Sequence, residues 1–233
     1  MEFIKDIWTK EDILDFKEFE KTLIGDKRDQ DFEQRIVNTK YFCFGRTSGK
    51  AKEIVKQIKK GNYISFLDRI FVENHFELEC ALFLINQIKD YEIFKKYLDK
   101  YILLFDSWAH TDSIKPIKVS ANKLIELSYE YIKSDLIFKR RMAVVIYFTI
   151  IKHNLFDDAY KIIDLLRDEE EYYVNMGAAW LLCELLIKDR DNAINYFKHN
   201  NTNTFIINKA ISKSRESFRI SESDKEMLLK YKN

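Results

Sequence analysis

The chain has 233 residues, of which 46% are hydrophobic and 33% are charged, so it can bury one sizeable core or at most two small ones. Five glycines and one proline cannot supply the turns that many short strands require, which excludes an all-β fold. The net charge of +1 by itself argues against a strongly electrostatic nucleic-acid binder.

Apolar residues recur at i, i+3, i+4 and i+7 along nearly the whole chain, which is typical of consecutive amphipathic helices. Thr9 and Asp12 predict a capping box, in which each side chain binds a free backbone N–H group, at the start of a helix that reaches about Leu23. Further helices are predicted over residues 30–37, 49–60, 64–71, 76–88, 92–104, 120–132, 136–152, 157–166, 172–188, 191–197 and 204–219, with a short one after Ser221.

Three of these segments resemble one another and begin 33 residues apart, at Phe138, Glu171 and Thr204. A helix pair that recurs at about this period is typical of an α-solenoid, whose stacked pairs form a concave binding surface. Small residues that would let the helices approach closely are Ala143, Gly177, Ala178, Ala179 and Ala210. We therefore predict an all-α superhelical solenoid, and we expect residues 1–233 to form one domain.

Several classes of site have no signal in the sequence. Cys43, Cys80 and Cys183 are far apart, so we expect free thiols in a reducing cytoplasm and no structural zinc. The four histidines lack metal-ligand spacing, and no phosphate-binding loop is present. Acidic residues near Met1 and the absence of a window of about 18 apolar residues lead us to expect neither secretion nor insertion in a membrane.

The charges are unevenly distributed along the chain. Residues 46–60 carry six basic side chains against one acid, whereas residues 157–171 carry seven acids against two bases. Four more bases follow in the last predicted long helix, at Lys209, Lys213, Arg215 and Arg219. This segregation fits either a basic binding face with an acidic back, or ordinary solvated helix faces.

A few residues are not needed by a solenoid. Trp108 and Asp112 are four apart, so one helical turn brings an indole and a carboxylate to the same face. Arg140 and Arg141 open a strongly apolar helix, and Trp180 lies in the middle of another. Each has a structural alternative: a helix cap for Asp112, core packing for Trp180, and a solvated helix start for the two arginines.

Four segments in this order resemble a known family, the DNA alkylation repair proteins, which are HEAT-like-repeat DNA glycosylases. FDSWAHTDSI is similar to the family's Asp-Asn-Trp-x-x-x-Asp segment, with Ser107 in place of the asparagine, and FKRRMAVV is similar to its Arg-Arg helix. YYVNMGAAWLLCELLIKD and NKAISKSRESFRIS are similar to its later helices. The resemblance extends from about Gly45 to Lys225.

The resemblance implies HEAT-like helix pairs that bind duplex DNA and remove cationic N3- and N7-alkylated purines without a metal or another cofactor. It implies that Asp112, Trp108 and Trp180 form the catalytic cleft. The basic residues expected to contact DNA are Arg46, Lys50, Arg140, Arg141, Lys209, Lys213, Arg215 and Arg219. We expect a cytoplasmic monomer that acts on alkylated double-stranded DNA. The alternatives are a non-catalytic relative that binds DNA and a helical scaffold for other proteins.

Overall fold

The computed structural model describes residues 1–232, which form an all-helical, solenoid-like fold as predicted. Its contacts divide it into two compact units, Met1–Val119 and Ser120–Asn233, while the prediction of a single domain stays a prediction. Within residues 1–232, no helix combines the length and the apolar character that crossing a bilayer would require. Cys43, Cys80 and Cys183 are buried free thiols, as expected.

The amino-terminal unit is built around one central helix. Its helices are α1 (Lys10–Glu20), α2 (Lys27–Val37), α3 (Ser48–Ile58), α4 (Tyr63–Arg69), α5 (His75–Ile85), α6 (Tyr91–Ile102) and α7 (Trp108–Asp112). Helix α5 is buried on almost every side and packs against α3, α4, α6 and α7, as expected for a helix that is apolar all round. The predicted capping box is confirmed, because the Thr9 N–H donates to the Asp12 carboxylate at 2.8 Å and the Asp12 N–H donates to the Thr9 hydroxyl at 3.2 Å.

The carboxy-terminal unit stacks its helices in two rows. Its helices are α8 (Ala121–Tyr131), α9 (Ile137–Val145), α10 (Tyr147–Ile150), α11 (Asp157–Asp164), α12 (Tyr172–Lys188), α13 (Arg190–His199), α14 (Thr204–Glu216) and α15 (Glu222–Leu228). Helix α12 packs between α9 and α14, so the three similar segments of the sequence are stacked neighbours. Gly177 is buried against α9, where an added Cβ would lie only 3.3 Å from the Arg141 guanidinium.

The second row of this unit contains α8, α11 and α13, and pairs of tyrosine and aspartate side chains join these helices. Tyr129 on α8 donates to Asp158 on α11 at 2.8 Å. Tyr160 on α11 donates to Asp189, the residue before α13, at 3.1 Å. Because both pairs span 29 residues, the contact repeats with the helix stack and ties each helix to the next.

Two predicted helices end differently in the structure. The helix expected over 136–152 is interrupted at Ile146 and ends in a 3-10 turn. The Ala143 carbonyl, which a continuous helix would offer to Tyr147, accepts the Ser128 hydroxyl at 2.7 Å close to this interruption. The helix expected to reach Arg219 stops at Glu216, because Ser217 is extended. Arg219 therefore lies in the turn that follows α14.

Buried charged groups form a cluster beneath α1 that the sequence did not predict. Lys17 forms ion pairs with Glu73, at 2.9 Å, and with the fully buried Glu77. The Glu20 carboxylate, 4% exposed, accepts a hydrogen bond from the Asn74 amide at 2.7 Å. Burial and the nearby Glu77 carboxylate raise the pKa of Glu20 to about 8. Glu20 is therefore protonated in the folded protein at neutral pH.

We expect Glu20→Gln to stabilise the protein at high pH, because the amide keeps the hydrogen bond and carries no charge. The pKa of Glu20 in the folded protein, about 8, lies above its ordinary value of 4.5. The contribution of the Glu20 carboxyl group to the free energy of unfolding is therefore fully present below pH 4.5 and is lost as the pH rises through 8. At pH 9 the variant should melt roughly 5 °C higher, the effect of about 2 kcal/mol in a chain of this size. Thermal unfolding of both proteins at pH 4.5 and pH 9 measures this difference in melting temperature. An equal difference at the two pH values would contradict the raised pKa of Glu20.

Candidate functional site

The short helix α7 carries two of the predicted catalytic residues. Trp108 begins the helix and Asp112 ends it, so the two side chains share one face as predicted, and both are partly exposed. His110 and Thr111 are buried and form the opposite face. Because Asp112 is the last residue of α7, the alternative that it caps the start of a helix is wrong; Ser107 fills that position.

The start of α7 is held by hydrogen bonds to the segment that follows α2. The Asp106 carboxylate accepts the Thr39 hydroxyl at 2.6 Å and the Lys40 N–H at 2.7 Å. The Ser107 hydroxyl donates to the Val37 carbonyl and accepts the N–H of Ala109 at 3.1 Å. Ser107, which replaces the family's usual asparagine, thus caps the helix and anchors it.

The end of α7 is held by a side chain from the loop after α5. The Asn86 amide donates to the Ser113 carbonyl at 2.8 Å, and its oxygen accepts the Lys115 N–H at 2.6 Å. A helix of five residues has too few internal hydrogen bonds to be stable alone. Its position is therefore determined by groups outside it, and Trp108 and Asp112 are oriented in advance.

Two buried histidines meet on the inner side of α7, His75 of α5 and His110 of α7 itself. Burial, together with the nearby His75, lowers the pKa of His110 to about 4, and burial also lowers the pKa of His75. The two rings lie 5.5 Å apart, and the edge of Tyr41 packs on His110. Both shifts favour the neutral imidazole on the buried side of α7.

Trp180, the third predicted catalytic residue, lies on α12 of the carboxy-terminal unit. Its neighbours Ala179 and Leu181 are buried, but Trp180 itself is 37% exposed. Its ring packs on Phe148 with a centroid distance of 4.2 Å and an interplanar angle of 41°. The alternative of a core tryptophan is therefore wrong, because more than a third of Trp180 is accessible while its ring packs on Phe148. Its convergence with Trp108 and Asp112 stays a prediction.

Comparison with known protein families covers most of this chain. A family model described as DNA alkylation repair enzyme matches residues 21–213. The chain belongs to this DNA alkylation repair enzyme family. The match confirms the resemblance found in the sequence and begins earlier, at the 3-10 turn that follows α1. No curated protein matches the chain. Among residues 1–232 of this DNA alkylation repair family member, no three His, Cys, Asp or Glu side chains are grouped to hold a metal ion.

The two arginines of α9 are held by contacts within the protein. The Arg140 guanidinium binds the Glu169 carboxylate through two hydrogen bonds of 2.6 and 3.2 Å. Arg141 is 4% exposed and donates to the Tyr173 carbonyl at the start of α12. The alternative of solvated helix-start residues is therefore wrong for Arg141, whose side chain ties α9 to α12. The predicted DNA contacts of both residues stay predictions.

The remaining predicted DNA contacts are more accessible. Arg219 pairs with Glu184, and the Lys209 ammonium lies 5.6 Å from the centre of the Phe205 ring. Lys213 is partly exposed and Arg215 is exposed on α14. In the amino-terminal unit, the exposed Arg46 pairs with Asp29 at 3.0 Å and the exposed Lys50 pairs with Glu53 at 3.3 Å.

Helix α3 and the residue directly after it offer further bases that the prediction did not include. Lys52, Lys56 and Lys59 are exposed and, within residues 1–232, have no carboxylate at ion-pair distance. Their spacing of i, i+4 and i+7 places them on one side of the helix. The sequence already indicated this group, because applying the helical period to the basic residues of 46–60 selects these three lysines.

We expect Asp106→Ala to loosen α7 selectively, because the Thr39 hydroxyl and the Lys40 N–H lose their acceptor. Hydrogen exchange of the amides of residues 108–115, followed by mass spectrometry, should accelerate at least tenfold, which corresponds to about 1.4 kcal/mol of lost local stability. The matched control is Asp90→Ala, which removes the cap of α6, where the carboxylate accepts the Ile93 N–H at 2.9 Å. Equal exchange of α7 in both variants would show that Asp106 does not hold this helix.

Proposed function

We propose that this DNA alkylation repair family member is a glycosylase that hydrolyses the N-glycosidic bond of N3- and N7-alkylated purines in duplex DNA. The observation that carries the proposal is the presentation of Trp108 and Asp112 side by side on a helix that is held at both ends. Preorganised charge is effective in catalysis because no reorganisation is needed when the reaction occurs.

The chemistry requires only one carboxylate. An N3- or N7-alkylpurine already carries a positive charge, so its bond to C1′ breaks without protonation and the electron pair leaves with a neutral base. Positive charge then develops on the deoxyribose, and a carboxylate at about 4 Å stabilises it by roughly 4 kcal/mol at an effective dielectric constant near 20. We assign this role to Asp112. Its carboxylate also orients the water whose oxygen binds C1′, and accepts the proton that this water releases.

The tryptophans offer selectivity for cationic bases. The face of an indole attracts a cation by roughly 0.5 to 2 kcal/mol, and a neutral purine gains much less. We assign this attraction to Trp108 and Trp180, both of which have accessible surface. The support that Phe148 gives to Trp180 leaves the indole few orientations, so little conformational freedom is lost when a base binds.

The DNA backbone requires a positively charged surface. We propose that phosphates are contacted by Lys52 and Lys56 of α3, by Lys59 directly after it, and by Lys209, Lys213 and Arg215 of α14. Each such contact releases a counterion, so affinity should fall steeply as salt is added. A helical scaffold for other proteins would not bind DNA of any sequence, so it would not show this salt dependence.

We expect Asp112→Asn to reduce release of 7-methylguanine and 3-methyladenine from alkylated duplex DNA by at least a hundredfold, because the amide keeps the shape of the side chain and removes its charge. Trp180→Ala should reduce release by roughly threefold to thirtyfold, the loss of one cation–π contact. The measurement is single-turnover base release at saturating protein. Asp90→Asn, which changes a carboxylate at the start of α6, is the matched control and should react at the wild-type rate.

Binding of the same duplex, measured by fluorescence anisotropy, separates the alternatives. An Asp112→Asn protein that binds DNA normally and releases no base supports the glycosylase. A folded wild-type protein that binds duplex DNA and releases no base would contradict catalysis and favour the non-catalytic binder. A wild-type protein that binds no DNA at low salt would contradict both and favour the protein scaffold.

A further inference from the structure

A groove on α2 of the amino-terminal unit combines positive charge with an exposed aromatic ring. It has a volume of about 760 Å³, and we refer to it as the α2 groove. Its lining consists of Lys27, Arg28, Asp31, Phe32, Arg35 and Arg46. None of its α2 residues belongs to the site proposed on α7, and only Arg46 was predicted to contact DNA.

Helical spacing brings the main groups of the groove together. Arg28, Phe32 and Arg35 lie at i, i+4 and i+7, which places them on one side of α2. The Phe32 ring is 40% exposed although a phenylalanine normally contributes to a core. The side of α2 that packs on the protein is formed by Glu33 and Val37, which are buried. The amphipathic pattern of the helix therefore directs Phe32 outward.

The second wall of the groove depends on Gly45. Its φ of +96° is unfavourable for other residues, and an added Cβ would lie 2.9 Å from the Asp29 Cβ and from the Gln30 nitrogen. The chain therefore passes directly against α2 at this glycine, and the Gly45 N–H donates to the Glu33 carboxylate at 2.7 Å. The next residue, Arg46, is consequently placed beside Phe32.

Two guanidinium groups lie next to the same ring. The Arg46 guanidinium carbon is 4.8 Å from the centre of Phe32, and that of Arg35 is 5.8 Å away. Within the described part of the chain, Arg28 and Arg35 have no carboxylate at ion-pair distance, whereas Lys27 pairs with Asp31 and Arg46 pairs with Asp29. The groove therefore has two guanidinium groups without a carboxylate partner, and its Phe32 is 40% exposed although two guanidinium groups contact the ring.

We propose that the α2 groove binds a nucleotide of single-stranded nucleic acid. Guanidinium groups donate paired hydrogen bonds to phosphate oxygens, and an aromatic ring stacks on any base. The phosphates would bind Arg28 and Arg35, and the base would stack on Phe32 where the Arg35 guanidinium leaves the ring to bind a phosphate. Only an unpaired base can place its face on a protein side chain, so a single strand fits this arrangement and an intact duplex does not. An acidic peptide would use the charges and gain nothing from the exposed part of Phe32.

Fluorescence anisotropy with a labelled single-stranded 12-mer of undamaged DNA tests the proposal. Phe32→Ala should weaken binding by at least fivefold, and the Arg28→Ala, Arg35→Ala double variant should weaken it by at least tenfold and reduce its salt dependence. Blunt duplex of the same sequence should be affected by less than twofold in Phe32→Ala. The matched controls are Phe42→Ala and Arg69→Ala, which change an exposed phenylalanine and an exposed arginine of the same unit.

A 12-mer of abasic sites separates stacking from charge. The wild-type protein should bind the abasic strand as weakly as Phe32→Ala binds the normal strand. Phe32→Ala should bind both strands with the same affinity. Equal affinity of Phe32→Ala and Phe42→Ala for the normal strand would overturn the proposal. Displacement of the strand by polyglutamate at equal charge concentration would overturn it in favour of an acidic partner. None of these measurements uses alkylated DNA or base release, so their outcome is independent of the glycosylase proposal.

Discussion

Hydrogen bonds from outside α7 are the constraint on which the proposed chemistry depends. A helix of five residues cannot hold its own side chains in place, so Asp106 and Asn86 do so from its two ends. Because both of these side chains are fixed by backbone groups, they transmit the position of the surrounding helices to Trp108 and Asp112. The site is rigid to the extent that α2 and the α5–α6 loop are rigid.

Each unit of the fold is built around one central helix. Helix α5 is buried on nearly all sides and supports α7, and α12 lies between α9 and α14 while presenting Trp180 outward. The apolar helices form the packed interior. Polar and aromatic groups can therefore lie at the surface, where they are accessible to DNA. Close packing also buries ionisable groups, and at Glu20 burial favours the protonated carboxyl group.

Much of the architecture was predictable from local patterns. The capping box at Thr9 and the stacked segments at Phe138, Glu171 and Thr204 follow from periodicity and short-range hydrogen bonding, and the structure confirms them. The shared face of Trp108 and Asp112 follows from a single helical turn. The break at Ile146 was not predictable, because it occurs where Ser128 of another helix donates to a backbone carbonyl.

By itself, the sequence determined the helical class, the repeat period and the family, since each depends on residue types at fixed spacings along the chain. Only the tertiary structure decided which charged groups are available. Arg141 and Arg46 look alike as basic residues, yet one is buried against a carbonyl and the other lies exposed beside Phe32. The physical reason is that burial and ion pairing depend on neighbours distant in sequence, which local spacing does not specify.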